Sequence, residues 1–141
     1  MDDKVKKKVL FLCTQNSARS QMAEALLNNM YPDRYEAFSA GTHPSKVNPY
    51  AVEAMRRLGI DISNHRSKSI EEFKDHEFDY VITVCDNARE NCPYFPGKMV
   101  IHQSFPDPAS KKGTDHEILA EFIKVRDQIK EWIEKKLGNS E

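Results

Sequence analysis

The sequence predicts an α/β fold, a four-stranded parallel sheet flanked by helices on both faces. Three observations carry this. Short apolar runs of strand length alternate along the chain with longer stretches of helical periodicity. Strands joined through helices pair in parallel, and such sheets are covered on both sides. Two of the runs end in a cysteine, Cys13 and Cys85, at the carboxyl edge where open α/β sheets bind ligands. With 141 residues, no internal repeat, no low-complexity segment and no linker, residues 1–141 are expected to form one domain.

The elements follow in order. Val9-Leu10-Phe11-Leu12, within a strand at about 8–13, is short, apolar and bounded by polar turn formers. From about Ser17 to residue 30 the pattern turns helical, with Met22, Ala25 and Leu26 on one face. A second strand covers about 35–39 (Tyr35-Glu36-Ala37-Phe38-Ser39) and is stopped by Gly41. Asn48-Pro49 opens a helix through Leu58, with proline at the favoured first position and Gly59 just past the end. Ser69-Ile70-Glu71-Glu72 starts a short helix, Phe78–Val84 forms the third strand and Met99–His102 the fourth. From Asp115 to Leu137 the residues Ile118, Leu119, Phe122, Val125, Ile129 and Trp132 recur at helical spacing.

Composition excludes several classes. A net charge of −1 with 30% charged residues provides no basic field for nucleic acid. The start, MDDKVKKKVLFLC, places lysines before an apolar run, but Thr14-Gln15-Asn16 breaks that run too early for a signal peptide. No stretch approaches the length of a membrane span. Three cysteines, an odd number, argue against a secreted disulfide framework and for a cytoplasmic protein with reactive thiols.

The chemistry concentrates in VLFLCTQNSARS. Cys13 sits between a strand end and a helix start, where free amides and the helix dipole favour an anion and the thiolate form of a thiol. Arg19 adds a planar fork of donors matched to an oxyanion. Either residue alone reads more simply, as a small buried hydrophobe and a solvated cation. With five residues between them on one strand-to-helix loop, they are far more specific. The loop must be short enough for its amides to converge on one oxyanion. Ser20 either donates its hydroxyl to the thiolate or is a polar residue at the helix start. Asn16 either ties the loop's own backbone together or is a turn former.

A second constellation is Cys85-Asp86-Asn87-Ala88-Arg89-Glu90-Asn91-Cys92-Pro93. The cysteine spacing is not that of a zinc site, and His43, His65, His76, His102 and His116 are scattered, so no metal is expected. If Asp86–Cys92 starts as a helix, residues seven apart lie roughly 10 Å apart along its axis. A disulfide needs Cα atoms within roughly 7 Å. A Cys85–Cys92 bond would then unwind the helix and act as a redox switch; without the bond the thiols are inert. The third piece is Phe105-Pro106-Asp107-Pro108-Ala109. Asp-Pro is a common turn, but beside a thiolate and an anion loop Asp107 is a candidate acid for a leaving oxygen.

Together, CTQNSARS, VCDNARENCP and SFPDPAS resemble the thioredoxin-coupled arsenate reductases built on the low-molecular-weight protein tyrosine phosphatase fold. FSAGTHPSKVNPYAVEAM and GIDISNHRSKSI are similar to that family too, so the resemblance covers nearly the whole chain. It implies a fold of that type and a relay of three thiols. Cys13 attacks arsenate held by the loop Thr14, Gln15, Asn16, Ser17, Ala18, Arg19 and Ser20, and Asp107 protonates the departing oxygen. Cys85 then attacks Cys13, releasing arsenite and leaving a Cys13–Cys85 disulfide. Cys92 attacks Cys85, and the resulting Cys85–Cys92 disulfide is reduced by thioredoxin, with glutaredoxin as an alternative donor. No cofactor is implied, since the electrons arrive through the partner's dithiol. Phosphate and sulfate are expected to mimic the substrate, and nothing in the sequence demands more than a monomer.

The chain also departs from the family. Gln15 stands where many relatives carry glycine, so a loop position needing positive φ is not served by glycine there. Ala18 replaces a further cysteine seen in some members. Some relatives bind potassium through positions matching Asn16, Glu24, Ser39 and a carboxylate; Lys68 stands at the carboxylate position, so no potassium requirement is expected. Two other functions compete. A tyrosine phosphatase or phosphomonoesterase would use Cys13, Arg19 and Asp107 alone, but phosphatases of this fold usually place tyrosine where this chain has Ala109. A non-enzymatic anion binder or thiol sensor leaves the co-occurrence of loop and cysteine pair unexplained.

Overall fold

The structure is a computed structural model that describes residues 6–85 and 94–138. Four strands, β1 (Lys7–Cys13), β2 (Tyr35–Gly41), β3 (Tyr80–Thr83) and β4 (Met99–His102), form one sheet in the order β2-β1-β3-β4. Every pairing is parallel. Three α-helices, α1 (Arg19–Met30), α2 (Pro49–Arg56) and α3 (Asp115–Ile133), and a 3-10 turn at Ile70–Phe73 complete the frame. The expected helical turn over 86–92, and Cys92 with it, lie outside the described residues.

Alternation along the strands divides the core. Val9 and Phe11 of β1, Ala37 and Ile82 face α1, α2 and α3, meeting Met22, Leu26, Ala54, Met55, Phe122, Val125 and Ile129. Leu10, Leu12, Ala40 and Val81 face the other way, onto Phe73, Phe78 and Phe95. Among the described residues the covers are therefore unequal: three α-helices on one face, and on the other a 3-10 turn with an aromatic cluster. Val9 through Leu12 have no exposure at all. This explains why the central strand reads as an unbroken apolar run, since a strand buried on both faces has no polar side.

The element ends differ modestly from the sequence expectation. β2 runs on to Gly41, which bridges to Ser69 in parallel. β3 is shorter than 78–84, because Phe78 leaves the ladder for the aromatic cluster. Helix α2 closes as expected around Gly59, whose φ is 83°. Ile60 N–H bonds Met55 O and Gly59 N–H bonds Arg56 O, both at 2.9 Å, the paired bonds of a Schellman end. The last helix continues beyond Ile133 as a π-helical turn, Glu134–Gly138.

Helix starts distinguish α1 from the others. Asn48 caps α2 by accepting from Tyr50 N–H, and Thr114 and Glu117 form a capping box on α3. The N-cap of α1 is Ala18, with no capping side chain and no acidic residue in the first turn. Its first amides and its dipole are left to a ligand.

Candidate active site

The loop between β1 and α1 is held by its carbonyls. Thr14 O accepts from His43 N–H at 2.8 Å, and Ser17 O from Asn48 N–H at 2.9 Å. Gln15 O accepts from the Ser67 hydroxyl at 2.8 Å, and Asn16 O from Gln21 Nε2 at 3.2 Å. With no cis peptide among the described residues, each following N–H points opposite to its carbonyl. The amides of Gln15, Asn16, Ser17 and Ala18 are thus turned to the inner side of the loop, which makes an anion nest. The positive φ that the loop needs falls on Asn16, at 51°, not on Gln15. Asparagine is among the residues that tolerate the left-handed region.

Inside the nest lies a cavity of about 370 Å³ lined by Cys13, Thr14, Gln15, Ser17, Ala18, Arg19, His43, Asn48, Asp107 and Ala109. Cys13 is a free thiol with 3% exposure. Its Sγ lies 2.8 Å from Ser20 Oγ, which also receives a bond from Asn16 Nδ2 at 2.8 Å. Asn16 and Ser20 are fully buried and stand behind the loop instead of lining the cavity.

Arg19 is 6% exposed and held from the far side of the cavity. Its Nη1 donates to Phe105 O at 3.2 Å, and Nη2 lies 3.9 Å from Asp107 Oδ2. Asp107 Oδ1 accepts from Ala109 N–H at 3.0 Å, which fixes the carboxyl at the start of a 3-10 turn, Pro108–Ser110. One segment therefore aims the guanidinium and presents a carboxyl, 42% exposed, at the mouth of the same cavity.

The register carries the second thiol position close to the first. Leu12 pairs with Thr83 and Val84 N–H bonds Leu12 O, so Cys85 lies one step beyond the residue opposite Cys13. Both side chains belong to the same buried cluster. Cys85 is disulfide-bonded, whereas Cys13 is a free thiol.

Beside the loop, the Lys68 ammonium lies 3.6 Å from Glu24 Oε1, the same oxygen that accepts the Ser39 hydroxyl, while Lys68 N–H donates to Asn16 Oδ1. A cation of the chain itself thus stands beside the Glu24 carboxylate that Ser39 also binds. Among the described residues no cluster of histidine, cysteine and carboxylate side chains is arranged to hold a metal ion.

Residues 8–139 match the family model described as low molecular weight phosphotyrosine protein phosphatase. Arsenate reductase 2 of Staphylococcus epidermidis is 44% identical over 130 residues, covering 92% of this chain and 95% of the relative. This chain belongs to that phosphatase family, within its arsenate reductases. A solved structure described as an arsenate reductase in the phosphate binding state superimposes with a TM-score of 0.79 at 34% identity, covering 94% of this chain and 97% of the other. A thioredoxin-dependent arsenate reductase from Corynebacterium glutamicum superimposes with a TM-score of 0.66 at 28% identity, covering 98% of this chain and 66% of the other.

The structure of this arsenate reductase family member adds residues that sequence reasoning did not place. His43 and Asn48 line the cavity. Gly41 lies so close behind the loop that a Cβ there would stand 2.5 Å from Thr14 O. Gln21 is a fully buried polar residue in the first turn of α1.

Proposed function

We propose that this protein reduces arsenate to arsenite in the cytoplasm through a thiol relay and is regenerated by thioredoxin. The observation that carries the proposal is the juxtaposition of two sulfurs: a buried free Cys13 at the floor of an oxyanion cavity, and Cys85 about one register step away. The kinship to arsenate reductases, one of them thioredoxin-dependent, supports the choice of oxyanion and reductant.

The steps balance. Cys13 thiolate forms an S–As bond while one arsenate oxygen departs, protonated by Asp107 and leaving as water. Cys85 thiolate attacks Cys13 sulfur; the S–As pair stays on arsenic, which becomes arsenite, and a Cys13–Cys85 disulfide forms. Cys92 thiolate attacks Cys85, freeing Cys13 and leaving Cys85–Cys92. Two electrons from the thioredoxin dithiol reduce that bond. Arg19 and the loop amides hold the charge of the bound anion throughout.

A phosphomonoester suits the same loop, but Ala109 at the cavity wall gives an aryl ring nothing to stack on. The test is arsenate-dependent NADPH oxidation coupled through thioredoxin and its reductase. Stoichiometric arsenite supports the proposal; hydrolysis of aryl phosphates with no arsenite formed overturns it.

A further inference from the structure

Two negative side chains share the oxyanion cavity with one positive one. Asp107 and the thiolate of Cys13 face the same space as Arg19, and Asp107 Oδ2 stands 3.9 Å from Arg19 Nη2, offsetting part of its charge. The start of α1 and the inward amides add only partial positive charges. A dianion entering this cavity therefore gains from any further cation on the wall. One more titratable side chain lines it, that of His43.

His43 is fastened to the anion loop through its backbone. Its N–H donates to Thr14 O at 2.8 Å, and Asn48 N–H donates to Ser17 O at 2.9 Å, so the segment 43–48 borders the loop at both ends. Pro44 follows directly and confines the backbone of His43 to the extended region. The imidazole is exposed, with Nδ1 3.1 Å from the Thr42 hydroxyl. Among the described residues no group bonds its Nε2, which leaves that nitrogen for a ligand. The other charged groups on the neighbouring elements are engaged away from the cavity: Lys68 with Glu24 at 3.6 Å and Arg66 with Glu72 at 2.7 Å. Lys46, the other cation of the segment, does not line the cavity.

We propose that His43 is a second substrate-binding cation, whose imidazolium shares the charge of the bound tetrahedral dianion with Arg19, so that oxyanion affinity falls when the ring loses its proton. Imidazole is the side chain whose charge changes in the physiological pH range. In the sequence this residue is one of five scattered histidines, and only the fold brings it to the cavity. The proposal rests on the reading of the cavity as an oxyanion site. It holds whether the bound anion is reduced or hydrolysed.

The experiment measures sulfate affinity of the fully reduced protein by calorimetry at about pH 5.5 and about pH 8.5, on either side of the range in which imidazole titrates. Sulfate keeps both charges at either pH, so a change in affinity reports the protein. His43→Gln is expected to weaken binding about fivefold at the lower pH, the upper scale of an exposed ion pair, and less than about twofold at the higher. His43→Arg, a cation at both pH values, is expected to bind as tightly as wild type at the lower and more tightly than wild type at the higher. Asp107 and Cys13 are present in all three proteins, so ratios between the proteins isolate residue 43. A side chain that only braces the loop would change affinity by the same factor at both pH values. Such a constant factor, or His43→Arg behaving as His43→Gln, overturns the proposal while leaving the oxyanion site intact. A wild-type protein that binds no sulfate at either pH overturns the oxyanion reading and the proposal with it.

Discussion

Replacing Gly41 by alanine tests whether the anion loop is held to sub-ångström precision by its neighbour. An ideal Cβ at this position stands 2.5 Å from Thr14 O, 2.8 Å from Cys13 O and 2.9 Å from Asn16 N. Ordinary contact begins near 3.4 Å, so the worst of these requires a shift of 3.4 − 2.5 = 0.9 Å. All three atoms are loop backbone, and no side chain can rotate aside to make room. Gly41 is also locked in place: it pairs with Cys13 in β2 and donates to Lys68 O at 2.9 Å. The loop must therefore move, and its amides and Cys13 move with it. Displacements near 1 Å at a reacting centre cost on the order of 100-fold in rate, and forced overpacking costs about 1–3 kcal/mol of stability. The assay is arsenate kcat/KM, with sulfate affinity by calorimetry and the melting temperature measured on the same sample. The expected outcome is a large loss in both kcat/KM and sulfate affinity with a moderate fall in melting temperature. A folded Gly41→Ala variant with arsenate kcat/KM and sulfate affinity near wild type refutes the reasoning.

Three further outcomes are expected. Asp107→Asn should slow formation of the first Cys13 intermediate by about 100-fold or more, the scale of general acid catalysis, while sulfate binding is retained; unchanged single-turnover rates remove the acid assignment. Because the Lys68 ammonium stands beside Glu24, exchanging sodium for potassium at fixed ionic strength should leave turnover unchanged, and a several-fold rise contradicts this. The hydrogen bond to Asp115 raises the pKa of Tyr50, so this link between α2 and α3 is present below the ordinary tyrosine value of 10.0 and lost as pH climbs through the raised one. In an ultraviolet tyrosinate titration, Tyr50→Phe should therefore delete a component that ionises above that value; loss of one that ionises at or below it contradicts the assignment.

Local patterns were legible because local physics determines them. Val9–Leu12 reads as a strand because both of its faces are buried, and α2 reads as a helix because Asn48, Pro49 and Gly59 mark its ends. Cys13, Arg19 and Asp107 stood out by residue type and spacing, and the fold brings all three to one cavity. What escaped notice depends on contacts distant in sequence. Gly41 reads as a strand stop, yet its lack of a side chain is demanded by the loop, 25 or more residues away in the chain. His43 and Asn48 brace loop carbonyls through their backbones, which no side-chain pattern reveals. Phe78 looks like a strand residue, but three aromatic neighbours, Phe38, Phe73 and Phe95, draw it into a cluster instead.

The relay is tested most directly with Cys92→Ser under excess arsenate, counting arsenite released and mapping disulfides by mass spectrometry. The account predicts one arsenite per protein chain and then arrest, with Cys13 and Cys85 joined. Sustained turnover, or arrest with Cys13 still a free thiol, would contradict it.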